Sequence, residues 1–427
     1  MLELRYILDN LDEVKENTLN RKMGVDFERF VELAEQRLEL IRKVDDLRRQ
    51  QNEVAKKMKK KPTPEEREVL IQQGRDLRSE VDQLDKEMDA VKSELTELQG
   101  HIPNLTHPEV PVGGGEEANA VVKTWGTPRE FDFEPLDHVE LGNRLDLIDW
   151  ESGSKVTGSK FYFLKNEAVW LELALIRYAL GILEEEGFTI HTTPDLAHHT
   201  VLENIGFNPR GEETQVYSVT GKDLCLIGTA EITLGGMLSG EILKEEQLPI
   251  LKAGVSHCFR TEAGAPGRAS RGLYRVHQFT KVEMFAFSTP EQSNELLERF
   301  LAVEEKIFQG LGLAYQVVDC CTGDLGAQAF RKYDIEAWMP GRSEGGSYGE
   351  ITSASNCTDY QARRLNTRFK REGEKKNIFV HTLNGTAVAI SRALLAIMEN
   401  YQEADGSIVI PEVLRQWVGK DRIGPCS

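Results

Sequence analysis

The segment Phe259-Arg260-Thr261-Glu262 opens a stretch that runs through Gly264, Gly267, Arg268, Arg271 and Gly272 to Arg275-Val276-His277-Gln278-Phe279. Four arginines fall within sixteen residues, with one acid among them, and the flanks have the composition of strands. Guanidinium groups pair with phosphate oxygens two at a time. The glycines keep the backbone open. Such a hairpin suits a triphosphate, with Phe279 stacked on a purine ring. The chain has no GxxxxGK[ST] loop and no GxGxxG turn, so a nucleotide would need another device of this sort. The residues alone also suit an exposed basic hairpin, with Phe279 as a core aromatic.

Three other segments could add to that chemistry. Gly228-Thr229-Ala230-Glu231 follows an apolar strand, Leu224-Cys225-Leu226-Ile227. Lys281-Val282-Glu283 puts a carboxylate on the strand that leaves the arginine loop. Glu350-Ile351-Thr352-Ser353 offers a carboxylate and hydroxyls of the kind that hold Mg²⁺. Each has an ordinary alternative: a strand glutamate is usually an ion-pair partner, and hydroxyl runs are common in turns.

The elements that must position these residues fall into two regions. In residues 1–100 the spacing predicts an antiparallel helical hairpin. Leu70, Leu77, Val81, Leu84, Met88, Val91, Leu95 and Leu98 form a heptad seam, broken at Gly74. Val31, Ala34, Leu38, Ile41, Val44, Leu47, Val54 and Met58 form a similar stripe. Between them Pro62 stops one helix, Thr63 caps the next, and Pro64 takes its first position. Each helix should reach about 50 Å at 1.5 Å per residue. Arg48, Arg49, Lys56, Lys57, Lys59, Lys60 and Lys61 gather near the turn, opposed only by Glu53. The arm could simply brace or dimerise. A one-signed tip nevertheless suits a phosphate backbone better than a solvated helix face does.

Residues 101–120 read as a linker without regular structure, because of Pro103, Pro108, Pro111 and Gly113-Gly114-Gly115. Residues 121–427 mix strands and helices with no βαβ rhythm, which predicts an α+β domain with a largely antiparallel sheet. Strands are expected at 161–164, 283–287 and 315–318, and helices at 168–186, 290–310 and 391–402.

Composition sets outer limits. The net charge of −18 by itself argues against nucleic acid, but local charge decides that question. No apolar run is long enough to span a membrane. The start, Met1-Leu2-Glu3-Leu4-Arg5, followed by Asp9, Asp12 and Glu13, has no signal or transit pattern, so a cytoplasmic protein is expected. Cys225, Cys258, Cys320, Cys321, Cys357 and Cys426 lack CxxC spacing, and no zinc site is expected.

Phe259-Arg260-Thr261-Glu262 through Glu283 resembles motif 2 of class II aminoacyl-tRNA synthetases. Arg275-Val276-His277-Gln278-Phe279-Thr280-Lys281-Val282-Glu283 resembles the seryl family in particular. So do Gly228-Thr229-Ala230-Glu231, Glu350-Ile351-Thr352-Ser353-Ala354-Ser355-Asn356 and Thr382-Leu383-Asn384-Gly385-Thr386. Arg392 resembles the motif 3 arginine, and the region of Pro194 lies where motif 1, a dimer element, would be. The likeness runs from the hairpin to the C-terminus, and ordered matches are more specific than any one alone.

The resemblance implies a homodimer with a class II catalytic domain. It would activate L-serine with ATP to seryl-adenylate and pyrophosphate. It would then load the 3′ end of tRNA(Ser), and of tRNA(Sec) where one exists. By resemblance, Thr229, Ala230 and Glu231 bind serine, Thr229 and Glu231 at its ammonium, and Glu283 and Thr386 lie at its hydroxyl. Arg260 bridges the serine carboxylate and the α-phosphate. Thr261, Glu262, Arg275, Val276 and Phe279 bind ATP, as do Glu350, Ile351, Thr352 and Ser353. Glu350 and Ser353 hold Mg²⁺. Arg392 meets the γ-phosphate and is, with Arg260, catalytic. Lys56, Lys57, Lys59, Lys60 and Lys61 contact tRNA.

Ser391, Thr352 and Ala354 stand where the family more often has Gly, Ser and Cys. Rival readings are a non-catalytic RNA-binding relative, a ligase that loads a carrier protein, and a structural coiled coil. The first predicts loss of Arg260, Glu283 or Arg392, the second loss of the arm, and the third no arginine loop. All of these features are present.

Overall fold

The computed structural model describes residues 1–207, 216–262 and 272–424. Gly264, Gly267, Arg268 and Arg271 of the arginine loop, and Cys426, lie outside the described residues. The chain divides into two compact units, residues 1–103 and 104–427.

The first unit is built on two long helices, α1 (Phe27–Lys59) and α2 (Pro64–His101). Thr63 caps α2 as the sequence predicts, and Glu66 completes a capping box. Thr63 Oγ1 accepts from Glu66 N at 3.3 Å, and the Glu66 carboxylate accepts from Thr63 N at 2.9 Å, with Pro64 at the first position. On α2 the expected seam is the covered face: Leu70, Val81, Val91 and Leu95 are buried.

On α1 the register differs from expectation only in the first half, and Val44, Leu47, Val54 and Met58 pack as expected. Leu38 is 50% exposed, while Phe30, Leu33, Leu40 and Val44 are buried. The face that packs runs Leu33, Arg37, Leu40, Val44, Leu47, Gln51, Val54, Met58, a strict alternation of four and three. Arg37 and Gln51 occupy seam positions with half-covered side chains, and so interrupt the apolar pattern by which a heptad is recognised. The exposed pair Arg29 and Glu94 links the helices through two hydrogen bonds of 2.8 and 2.9 Å.

The second unit is organised on the largest sheet among the described residues, which has eight strands. In chain order these are β1 (Ala120–Trp125), β2 (Thr189–Thr192), β3 (Ile250–Phe259), β4 (Gln278–Ser288), β5 (Tyr315–Asp319), β6 (Arg331–Met339), β7 (Ser347–Thr358) and β8 (His381–Ala389). Their spatial order is β1-β5-β6-β7-β8-β4-β3-β2. Every pairing is antiparallel except β2 with β3. The fold is α+β, as the sequence predicts.

Four helices position the site or cover the sheet: α3 (His138–Arg144), α4 (Glu167–Glu185), α5 (Ser293–Gly310) and α6 (Ile390–Asn400). Phe300, Phe308, Leu394 and Ile397 join Met284, Val317 and Ile335 in the main core. Only Phe163–Leu164 of the expected strand at 161–164 pairs, with Ile148–Asp149. Residues 101–120 carry a 3₁₀ turn at Glu116–Ala118 and the first residue of β1. The prolines and glycines end at Gly115, so nothing after it bars regular backbone. Asn104 donates from one amide nitrogen to the carbonyls of Gln328 and Cys357, both at 2.9 Å.

Candidate active site

The hairpin of β3 and β4 pairs Cys258 with Phe279 and Phe259 with Gln278, so the arginine loop leaves from the end of two long strands. Arg260 N donates to His277 O at 2.9 Å. The Arg260 guanidinium lies 5.5 Å from the Phe279 ring centroid, and its Nε donates to Gly228 O at 3.4 Å. Glu262, at φ +49°, turns its carboxylate to within 3.5 Å of Arg275.

β7 brings Glu350 to the same place. Thr352 pairs with Ile335 and Glu350 with Glu336, so Ile351 is the extra residue of a bulge. The bulge breaks the strand's alternation. α6 begins beside it. Arg392 Nη1 donates to the carboxylate and to the carbonyl of Glu350, each at 3.0 Å, and the guanidinium sits 4.6 Å from the Tyr274 ring centroid. Burial would push the Glu350 carboxyl up, but Arg392, Lys332 and Arg260 outweigh it and hold the group below the usual range.

Together these residues line an open cleft of about 460 Å³ that contains Arg260, Glu262, Arg275, Val276, Phe279, Glu350, Ile351, Thr352, Thr386 and Arg392. β8 supplies Thr386 directly opposite Glu283 on β4. Thr386 Oγ1 donates to Glu283 at 3.2 Å, and the Lys281 ammonium donates to Thr386 Oγ1 at 3.3 Å. Lys281 also pairs with Glu283 at 2.5 Å, with both side chains buried. Thr352 donates its hydroxyl to Thr386 O.

Thr229, Ala230 and Glu231 lie beside this floor rather than on the cleft wall. Thr229 caps the short helix Ala230–Gly236, accepting from Glu231 N at 3.3 Å. Glu231 is 5% exposed and accepts from Gln361 Nε2 at 2.7 Å and Asn384 Nδ2 at 3.0 Å. Burial and the neighbouring Glu283 push its carboxyl up to about 7. Three other expected residues are not on the cleft wall. Glu283 is buried beneath it. Thr261 does not line it, and the Ser353 hydroxyl bonds to Asp334.

Lys281, Tyr274 and Asn384 belong to the cluster without having been singled out. Alternation on a strand could have found two of them, since Lys281 is two residues from Glu283 and Asn384 two from Thr386. Tyr274 carries no such signal. Elsewhere Cys320, Asp324 and Asp334 bring ligand-type atoms within 4.8 Å of one another. The Lys332 ammonium, 3.1 Å from Asp334 and 3.4 Å from Asp324, already meets their charge.

Residues 1–106 match the family model of the seryl-tRNA synthetase N-terminal domain, and residues 215–401 that of the class II core domain for G, H, P, S and T. The serine–tRNA ligase of Treponema denticola is 55% identical over 424 residues, covering 99% of this chain and all of that protein. The chain belongs to the seryl-tRNA synthetase family.

It is a class II aminoacyl-tRNA synthetase, a serine–tRNA ligase. The ligase of Rubrobacter xylanophilus is also 55% identical, over 100% of this chain and 99% of its own. Among solved structures, seryl-tRNA synthetase from Pyrococcus horikoshii complexed with ATP superimposes with a TM-score of 0.92 at 39% identity, covering 100% of both chains. The cytoplasmic enzyme of Naegleria fowleri in complex with AMP gives 0.87 at 31% identity, covering 100% of this chain and 99% of that one.

Proposed function

We propose that the cleft binds ATP and serine side by side and runs both half-reactions of the synthetase. The carrying observation is the meeting of Arg260, Arg275 and Arg392 around Glu350 and Phe279, with the Glu283–Thr386 pair at the floor. Phe279 offers a face for adenine, with Glu262 at its edge and Thr261, Val276 and Ile351 shaping the wall. Arg392 and Arg275 take the outer phosphates. Arg260 lies between the Phe279 ring and Gly228, where it can bridge the α-phosphate and the serine carboxylate. Thr229 and Glu231 hold the serine ammonium, and Glu283 and Thr386 its hydroxyl.

The serine carboxylate attacks the α-phosphate, and the bond to pyrophosphate breaks. A ribose hydroxyl of tRNA then attacks the acyl carbon and AMP leaves. No protein nucleophile is needed. The residues orient the reactants and meet the charge that develops on phosphate. Glu350, kept ionised by Arg392, supplies a hard oxygen donor for Mg²⁺, with Thr352 on the same wall, whereas Ser353 turns to Asp334 and does not join it. Bound there, the ion would neutralise phosphate charge. Serine-dependent exchange of pyrophosphate into ATP tests the reading. Exchange with another amino acid, or none, would sink it.

The pH dependence follows from Glu231. Below about 7 its carboxyl takes up a proton that competes with the serine ammonium. The KM for serine should therefore rise roughly tenfold per pH unit as pH falls below that value. The native carboxyl also holds a proton that the unfolded chain has lost. Its contribution to stability is thus full at acid pH and fades as pH rises through about 7. A flat serine KM between pH 5.5 and 8 would refute the assignment.

Lys56, Lys57, Lys59, Lys60 and Lys61 are all exposed, and none makes an ion pair with a described residue. Arg48 and Arg49 are tied instead to Asp85 and Asp46. The five lysines also suit the C-terminal end of α1. We assign them to the backbone of tRNA(Ser), and of tRNA(Sec) where it exists. Changing all five to alanine should lower tRNA charging while adenylate formation stays unchanged. The slope of log affinity against log salt should fall by about 0.7 to 0.9 for each phosphate no longer neutralised. Equal loss in both steps would overturn the role. Val169, Trp170 and Leu173 form an exposed apolar stripe on α4 and support a homodimer. With no helix among the described residues long and apolar enough to cross a membrane, a cytoplasmic setting fits.

A further inference from the structure

His138 opens α3 and is 6% exposed. Its two ring nitrogens have different tasks. Nε2 accepts from Leu273 N–H at 3.0 Å, so the proton of the neutral ring sits on Nδ1. Nδ1 then donates to Glu399 Oε1 at 2.7 Å. Glu399, on α6, also accepts from His138 N at 3.1 Å and Gly341 N at 2.8 Å, so its orientation is fixed by backbone.

Leu273 belongs to the short turn Gly272–Tyr274, which leads the arginine hairpin back into β4. Gly272 sits at φ +64°, and a Cβ there would fall 1.9 Å from His138 Nε2. The turn therefore rests directly on the imidazole. The next residue, Tyr274, packs its ring under Arg392, and its carbonyl accepts from Arg392 Nε at 3.4 Å. After it comes Arg275, which faces Glu262. Arg392 and Glu399 lie two turns apart on one face of α6. The helix thus reaches the turn twice, once through Arg392 and once through Glu399 and His138.

We propose that His138 is a positioning residue for ATP: its neutral ring, oriented by Glu399, holds the return turn so that Tyr274 and Arg275 face the phosphates. This rests on the reading of the cleft as the ATP site. Glutamine can place an acceptor oxygen where Nε2 lies, but has no donor at Nδ1. Asparagine can replace the Nδ1 donor, but cannot reach Leu273. H138N should therefore be the more damaging of the two variants.

The test is pyrophosphate exchange by full-length H138N, H138Q and R392A, with KM for ATP and for serine measured separately and melting temperatures recorded. H138N should raise the KM for ATP about tenfold and leave that for serine within about twofold, with H138Q close to the parent. An unchanged ATP KM in H138N, alongside a crippled R392A, would overturn the inference and leave the cleft reading standing. Equal loss in H138N and H138Q, or a joint rise in both KM values, would overturn it as well, since that is what a merely structural role gives. If H138N does not fold, H138Q decides alone, and a tenfold rise there overturns the proposal. An unchanged R392A would remove the cleft reading and this inference together.

Discussion

Replacing Arg392 by alanine should lower the rate of seryl-adenylate formation about 10²- to 10³-fold, the usual cost of removing one aimed charge from a transition state. The guanidinium is held at Nη1 by the Glu350 carboxylate and carbonyl, at Nε by the Tyr274 carbonyl, and on its face by the Tyr274 ring. It therefore requires little reorganisation when charge moves onto pyrophosphate. Its loss also removes the largest influence holding the Glu350 carboxyl low, so burial would push that group up and weaken it as a cation ligand. Arg392→Lys keeps a charge but not the planar fork, and should recover only part of the rate. Single-turnover adenylate formation at saturating ATP measures this. A loss below about tenfold in Arg392→Ala would show that the outer phosphates are held elsewhere.

The second large effect is on selectivity. A site that pairs a substrate hydroxyl rejects the analogue lacking it by about 10⁴ or more, because its own polar groups are otherwise left unpaired. In the proposed reading that site is Glu283 with Thr386. Glu283→Ala should collapse the preference for serine over alanine from about 10⁴ toward about tenfold. Serine activation should fall steeply and alanine activation much less. Glu283 also neutralises Lys281, whose side chain is 7% exposed. Its removal strands a buried ammonium, at about 3–5 kcal/mol, so the melting temperature should fall too. The double variant Glu283→Ala with Lys281→Met separates the two effects. Stability should return while selectivity stays lost. Discrimination that returns with stability would place recognition of the hydroxyl elsewhere. Threonine retains the hydroxyl and adds a methyl, which only the shape of the floor can exclude.

Much of this was legible in the chain. The arm showed itself through the seam of α2 and the Thr63 cap, because heptad spacing and capping chemistry act over a few residues. The first half of the α1 seam was misplaced for a related reason. Arg37 sits half-covered at a packing position there, and an apolar pattern cannot register it. Leu38 was the apolar residue nearest the expected position, and it faces solvent.

Residue types and order named the chemistry: arginines without a P-loop, a strand glutamate after them, and carboxylate and hydroxyls further on. The sequence thus determined much of the candidate site's residue types, the helical arm and the α+β class, all of which rest on local periodicity or on side-chain chemistry. Tertiary structure decided which of these residues meet. The bulge at Ile351 breaks the alternation on which strand reading depends. Register alone sets Thr386 opposite Glu283 and brings Lys281 to the same pair. Tyr274, His138 and Glu399 matter only because α3, α6 and the return turn converge. His138 and Glu399 are far apart in the chain, and a hydrogen bond between them leaves no mark on the residues around either.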